Sequence, residues 1–155
     1  MSDMLVKLYD LPNPGGAVAA LERQGVRIRP AMSLERPAVL RWIRTHFVSW
    51  LPEVETGFCR QPIPCLLAIK DRTILGFACY DVTCRNFFGP MGVLESARGE
   101  GIGSALLLTA LQAQRSQGYG YAIIGGVGPV GFYERAVGAT VIEGSSPGVY
   151  PERLF

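Results

Sequence analysis

Between Gly92 and Gly118 the chain reads GVLESARGEGIGSALLLTALQAQRSQG: one arginine, Arg98, then glycines at 99, 101 and 103, then Ser104 and a long apolar run. The opening of a helix leaves about four backbone N–H groups without an internal acceptor, at the positive end of the helix dipole. Gly99, Gly101 and Gly103 remove the side chains that would keep an anion away from those amides. Arg98 adds a charge that can bind in a bidentate fork. Residues of these types at this spacing suit a phosphate or pyrophosphate. The competing interpretation is a tight strand-to-helix turn with no ligand.

Two nucleotide templates fail on particular positions. A P-loop needs lysine and then serine or threonine after its last glycine, whereas Gly103 is followed directly by Ser104, so a γ-phosphate lacks its counter-charge. The dinucleotide fingerprint places glycines first, third and sixth, with an acidic residue about 20 positions on. Here they fall first, third and fifth, and the stretch Gly118 to Val127 has no carboxylate.

Other reactive side chains are sparse. The four cysteines, Cys59, Cys65, Cys79 and Cys84, show no Cys-x-x-Cys spacing, and His46 is the only histidine, so no metal site is expected. Cys65 and Cys79 lie in apolar runs that suit buried thiols, which leaves Cys84 as the accessible one. His46 fits a helix surface or a packed position. Tyr133, beside Phe132, is a phenol with an ordinary pKa of about 10. Packing at a helix end would account for it equally well.

These residues need elements to hold them. MLVKLY, residues 4 to 9, has the character of a short strand, and Pro12, Pro14, Gly15 and Gly16 break it before a short helix around Ala17 to Gln24. VRIRPAM alternates as a half-buried edge strand. The spacing of Val39, Leu40, Trp42, Ile43 and Phe47 predicts a helix over 33–47, and a shorter helix is expected over 51–60. CLLAIK and TILGFACYDVT form a hairpin across Asp71 and Arg72, although that pair lacks the favoured glycine. NFFGPMGVL is a third strand, distorted by Gly89, Pro90 and Gly92. A helix over 104–117 closes at Gly118. YAIIGGV, VGFYERAVG and ATVIEG follow as strand, helix and strand. The order implies a mixed α/β sheet with helices on its faces.

At 155 residues the chain suits one domain. With 48% hydrophobic and 18% charged residues it suits a filled core rather than a disordered chain. A net charge of +2 argues against nucleic acid as a partner. No apolar run is long enough to span a bilayer and no signal segment is evident, so the expected location is cytoplasmic, with no membrane partner.

The pattern Arg98-x-x-Gly101-x-Gly103 between a strand and a long helix resembles the signature of the GNAT superfamily of acetyl-CoA-dependent N-acetyltransferases. GVLESARGEGIGSALL is similar to that family's strand, loop and helix, and GFYERAVGATVIE to its later helix. The similarity is strongest from Asn86 to Glu143. It implies a mostly antiparallel mixed sheet with a splayed central strand pair and helices on both faces. Residues 26–155 would form the acetyltransferase domain and residues 1–25 a leader outside the family pattern.

The resemblance further implies acetyl-CoA as acyl donor, with no metal, and a small-molecule primary amine as acceptor, attacking directly. Arg98 and the amides of Gly99, Gly101, Ile102, Gly103 and Ser104 would hold the pyrophosphate. Met91, Gly92 and Val93 on one strand and Gly126 on the other would admit the pantetheine arm, flanked by Phe132. Val93 or Leu94 would aim an N–H at the thioester oxygen, and Tyr133 would protonate the departing sulfur. The family's asparagine and alanine before the helix tyrosine are replaced here by Gly126 and Pro129. Glu53, Glu55 and Asp81 are the candidate bases, acting through water. Trp42, Phe47, Trp50 and Phe58 fall where the family's first helices cover the acceptor, though core packing would explain them too. A non-catalytic acetyl-CoA-binding domain and a protein binding another phosphate ligand are the alternatives. The strand MLVKLY, if exposed, would offer an edge for a homodimer.

Overall fold

The computed structural model of the chain describes residues 1–149, 152 and 154. Strand β1, Met4–Lys7, buries Met4 and Val6 and runs into one 3-10 turn at Leu8–Asp10. Helix α1, Gly15–Arg23, opens where the Asn13 side chain accepts from the Gly15 amide at 2.8 Å. Strand β2 is Arg27–Pro30. The helix expected over 33–47 begins as a 3-10 turn at Ser33–Glu35 and becomes α2, Arg36–His46. A 3-10 turn at Val48–Trp50 leads to α3, Leu51–Gly57.

Strands β3, Cys65–Lys70, and β4, Thr73–Tyr80, form the expected hairpin. Asp71 and Arg72 both adopt positive φ, 48° and 63°, the conformation that a two-residue turn of this hand requires even without glycine. Strand β5, Phe87–Val93, precedes α4, Ile102–Ser116; then come β6, Tyr121–Ile124, α5, Val130–Val137, and the two-residue β7, Thr140–Val141. Helix α4 starts two residues earlier than the apolar run suggests, because left-handed Gly101 serves as its N-cap. Gly118, at φ +98°, lies just beyond its end.

The seven strands form one sheet in the order β2-β3-β4-β5-β6-β1-β7. Every pairing is antiparallel except β5 with β6, which is parallel. Segment 1–25 therefore supplies an interior strand. Strand β1 is paired on both sides, by β6 and β7, so the expectation of an exposed edge strand for a second copy of the chain is corrected. Its alternation of Met4, Val6 and Leu8, all fully buried, is what an interior position demands.

Helices cover both faces. On one, Leu21 of α1, the apolar face of α4 and Tyr133 and Val137 of α5 pack on the sheet. On the other, Val39, Leu40 and Ile43 of α2 and Val54 of α3 pack on Leu67, Phe77 and Cys79.

Candidate cofactor and transfer site

The loop before α4 is a nest of unengaged donors. Among the described residues, the amides from Gly99 to Ser104 donate to no backbone or side-chain acceptor, and the first bond of the helix is Ala105 N–H to Gly101 O at 3.1 Å. Gly99 and Gly101 take φ of +81° and +84°, and a Cβ on either would meet nothing within 4 Å. Conformation, rather than crowding by protein, is what requires glycine at these two positions. Ile102 is buried and anchors the first turn of the helix in the core. Arg98 is exposed, and its Nε donates to the Val93 carbonyl at 3.3 Å, which turns the guanidinium back toward β5. Such a run of amides at the head of a 15-residue helix, with an arginine beside it, can hold an anion of two linked phosphates.

Strands β5 and β6 meet only at Phe87 with Ile123 and Phe88 with Ile124; β5 then runs on to Val93 while β6 ends. A bulge lies between the pairs Ala78–Met91 and Tyr80–Phe88 and shifts the phase of β5. Beyond it, the Leu94 amide donates to Leu75 O at 2.8 Å. Amides alternate between the two edges of a strand, so the N–H groups of Met91 and Val93 face the open side. Leu94 is thus committed to the sheet, and of the two donors expected here the free one is Val93.

Helix α5 forms the third wall. The Cβ that Gly103 lacks would lie 3.8 Å from a Val93 methyl carbon and 3.9 Å from the tip of the Phe132 ring, so loop, β5 and α5 converge on one gap. Phe132 and Tyr133 make an edge-to-face pair with centroids 5.0 Å apart, and Phe88 packs on Tyr133 from below at 6.4 Å. Tyr133 is 9% exposed, and its hydroxyl makes no hydrogen bond among the described residues. Burial raises its pKa above the ordinary phenol value. Pro129 stands one position before the helix, as its N-cap. Gly126, at φ +57°, donates its amide to Asp3 Oδ1 at 2.8 Å, which removes that donor from the gap.

A family model described as an acetyltransferase (GNAT) domain matches residues 61–136, from just before β3 to the last turn of α5. Residues 61–136 carry a GNAT acetyltransferase domain. No curated protein matches it. Among solved structures, it is similar to the GCN5-related glucosamine N-acetyltransferase region of a fungal multi-domain GH3 β-N-acetylglucosaminidase, with a TM-score of 0.74 and 14% identity over 91% of this chain and 19% of that one. It is also similar to a GCN5-related N-acetyltransferase from Sphaerobacter thermophilus, with a TM-score of 0.68 and 21% identity over 91% of this chain and 48% of that one. The likeness is one of fold, and the chain spans less than half the length of either.

The GNAT domain's other face, opposite α4, is aromatic. A Cβ on Gly92 would fall 2.7 and 2.8 Å from carbons of the Phe47 ring and 3.0 Å from Phe77, so only glycine lets Phe47 settle there. Phe47 stacks on Trp50 at 5.5 Å and 16°, and Trp42 packs against both Phe47 and Phe77. Trp42, Phe47, Trp50 and Phe58 are all half-buried against the second core. His46 is exposed at the end of α2, tilted against Trp42 at 5.2 Å.

The three carboxylates suggested by the sequence diverge. Asp81 is buried at the far end of the sheet, accepting from the Asn86 amide at 2.7 Å and from Gln114 near the end of α4 at 3.4 Å. With a rise of about 1.5 Å per residue, twelve residues of α4 put it about 18 Å from the amide nest, which fits a structural role. Glu55 pairs with Arg36 at 3.5 Å. Glu53 accepts the Thr83 hydroxyl on the α3 face. Among the thiols, Cys59 rather than Cys84 is the exposed one, and burial raises the Cys79 pKa well above its ordinary value. The sequence offered no signal for Asp3, an acidic residue in a polar N-terminus that carries no motif.

Proposed function

We propose that this domain transfers an acetyl group from acetyl-CoA to a primary amine of a small molecule by direct attack. The observation that carries this reading is the run of unengaged amides from Gly99 to Ser104 opening onto the same gap as the free Val93 amide. The residues fit the cosubstrate: the nest and Arg98 suit a diphosphate, and the glycine-lined gap between β5 and the end of β6 suits a slender arm. Acetyl-CoA supplies the activated acyl group. The chain supplies position and polarity.

Val93 N–H is oriented to stabilise negative charge on the acyl oxygen, a donor whose loss typically costs ~2.7–4 kcal/mol. Tyr133, a phenol that carries its proton near neutral pH, is the group that gives a proton to the departing sulfur. The acceptor approaches from the opposite face, where Phe47 lies on Gly92 with Trp50 and Trp42 packed against it, and these rings can receive an ammonium or a ring on their faces. Amino sugars stand first among amines to test, since the fungal relative is named for glucosamine.

Thermal stabilisation by acetyl-CoA tests binding. A ligand at 100 times its dissociation constant adds about 2.7 kcal/mol. Release of free CoA thiol across an amine panel then tests transfer. Absence of stabilisation refutes the acetyl-CoA reading; stabilisation without thiol release from any amine supports the non-catalytic alternative instead.

A further inference from the structure

The N-terminal segment touches the site at one point. Strand β1 lies on the edge of β6 opposite β5, and the chain just before it reaches past the end of β6. There the Asp3 carboxylate accepts the Gly126 amide at 2.8 Å, and Ser2 O accepts the Val127 amide at 3.0 Å. Asp3 is itself fixed on both sides of its backbone: its N–H donates to the Ser145 hydroxyl at 2.8 Å and its carbonyl accepts from the Ile142 amide at 2.9 Å. It is 7% exposed. The turn from Gly125 to Val127 is thus held from behind, while its other side faces the opening between β6 and β5. Phe87 presses on that turn from the β5 side, where a Cβ on Gly125 would come within 3.0 Å of the ring.

We propose that Asp3 is a positioning residue for the pantetheine arm of acetyl-CoA. It acts through Gly126, setting the far wall of the gap at a fixed distance from Met91 and Val93. Left-handed glycine at 126 has no side chain of its own to hold the turn, and the three-glycine, one-proline stretch GGVGP has little intrinsic preference for a single path. A carboxylate acceptor just ahead of an interior strand supplies that restraint. The inference rests on the acetyl-CoA reading above. It assigns part of segment 1–25 to the site.

The test compares two ligands on the full chain by calorimetry: CoA, and 3′-phospho-ADP, which keeps the diphosphate and lacks the pantetheine. Asp3→Ala should weaken CoA binding on the order of ten-fold, the loss of one hydrogen bond to a charged group, and leave 3′-phospho-ADP binding unchanged. Asp3→Asn keeps a neutral acceptor and should show a smaller loss, roughly three-fold, with the same selectivity. It serves if the alanine variant does not fold. Equal losses for both ligands, or no loss for either, overturn the proposal. Hydrogen exchange on the unaltered protein provides a separate check: Gly126 N–H should be protected without ligand, and an unprotected Gly126 also overturns it. An unaltered protein that binds neither ligand while Gly126 stays protected refutes the acetyl-CoA reading instead, leaving the hydrogen bond intact.

Discussion

Gly101→Ala separates the amide nest from an ordinary turn. Gly101 sits at φ +84° and ψ 2°, where an L-residue with a Cβ costs about 1–2 kcal/mol. A Cβ there meets nothing within 4 Å, so conformation is the whole penalty and the core is untouched. For a domain of this size each kcal/mol lowers Tm by roughly 2–4 °C, which predicts a fall of about 2–8 °C with cooperative unfolding retained. The loop can relieve the strain by returning residue 101 to negative φ, and that rotation turns neighbouring amides out of the nest. One lost bond to a charged phosphate is worth ~1.5–3 kcal/mol, so CoA affinity should drop roughly 10- to 100-fold by calorimetry. Gly101→Asn, which tolerates the left-handed region, should fall between alanine and the parent. Gly103→Ala is the complement: its φ is ordinary and the nearest atoms are 3.8 Å away, so Tm should hold or rise while the new methyl intrudes between Val93 and Phe132 and weakens CoA. A Gly101→Ala protein that loses stability but binds CoA as the parent does would refute the assignment of these amides.

Tyr133→Phe should lower turnover with little change in acetyl-CoA affinity; unchanged turnover in steady-state assays removes the hydroxyl from the reaction. Burial raises the pKa of both Tyr133 and Tyr80, so folding stability should be fully present below the ordinary phenol pKa of about 10 and decline as pH rises through the folded values. Denaturant unfolding between pH 8 and 11 checks the direction, and Tyr133→Phe should flatten part of the decline. Gly92→Ala forces the Phe47 ring back by about 1 Å, at a cost of about 1–3 kcal/mol, and should raise the acceptor KM more than the acetyl-CoA KM. Equal Tm and kinetics would show that Phe47 does not rest on that glycine.

How much of this was legible in the sequence depends on the range over which each feature is specified. The nest was, because Gly99, Gly101 and Gly103 and the apolar run that follows lie within a few residues of one another. The β3–β4 hairpin was, because alternation on both sides of Asp71 and Arg72 outweighs the missing glycine. The strand character of MLVK was visible in the alternation of Met4 and Val6, yet its place between β6 and β7 was not, since periodicity names a buried face and not a neighbour. The choice between Val93 and Leu94 hinged on a bulge that shifts β5 by one residue, and Gly89 and Pro90 signalled a distortion without its direction. Asp81 looked like a candidate base only until its position at the far end of α4 was known. Asp3 was invisible for the same reason as β1's position: its partner stands 123 residues away.

That separation bears on the order in which the molecule assembles. Strand β1 finds its partners more than a hundred residues further along the chain, and closing a loop of 123 residues costs about 4 kcal/mol of chain entropy by the logarithmic law. Until Tyr121–Ile124 and Thr140–Val141 are made, Met4 and Val6 have no strand to pair with. The helical layers and the β2–β5 meander can condense early from short-range contacts. On that order strand β1 joins the sheet after the meander, and the hold of Asp3 on the turn at Gly126 is made in the same step.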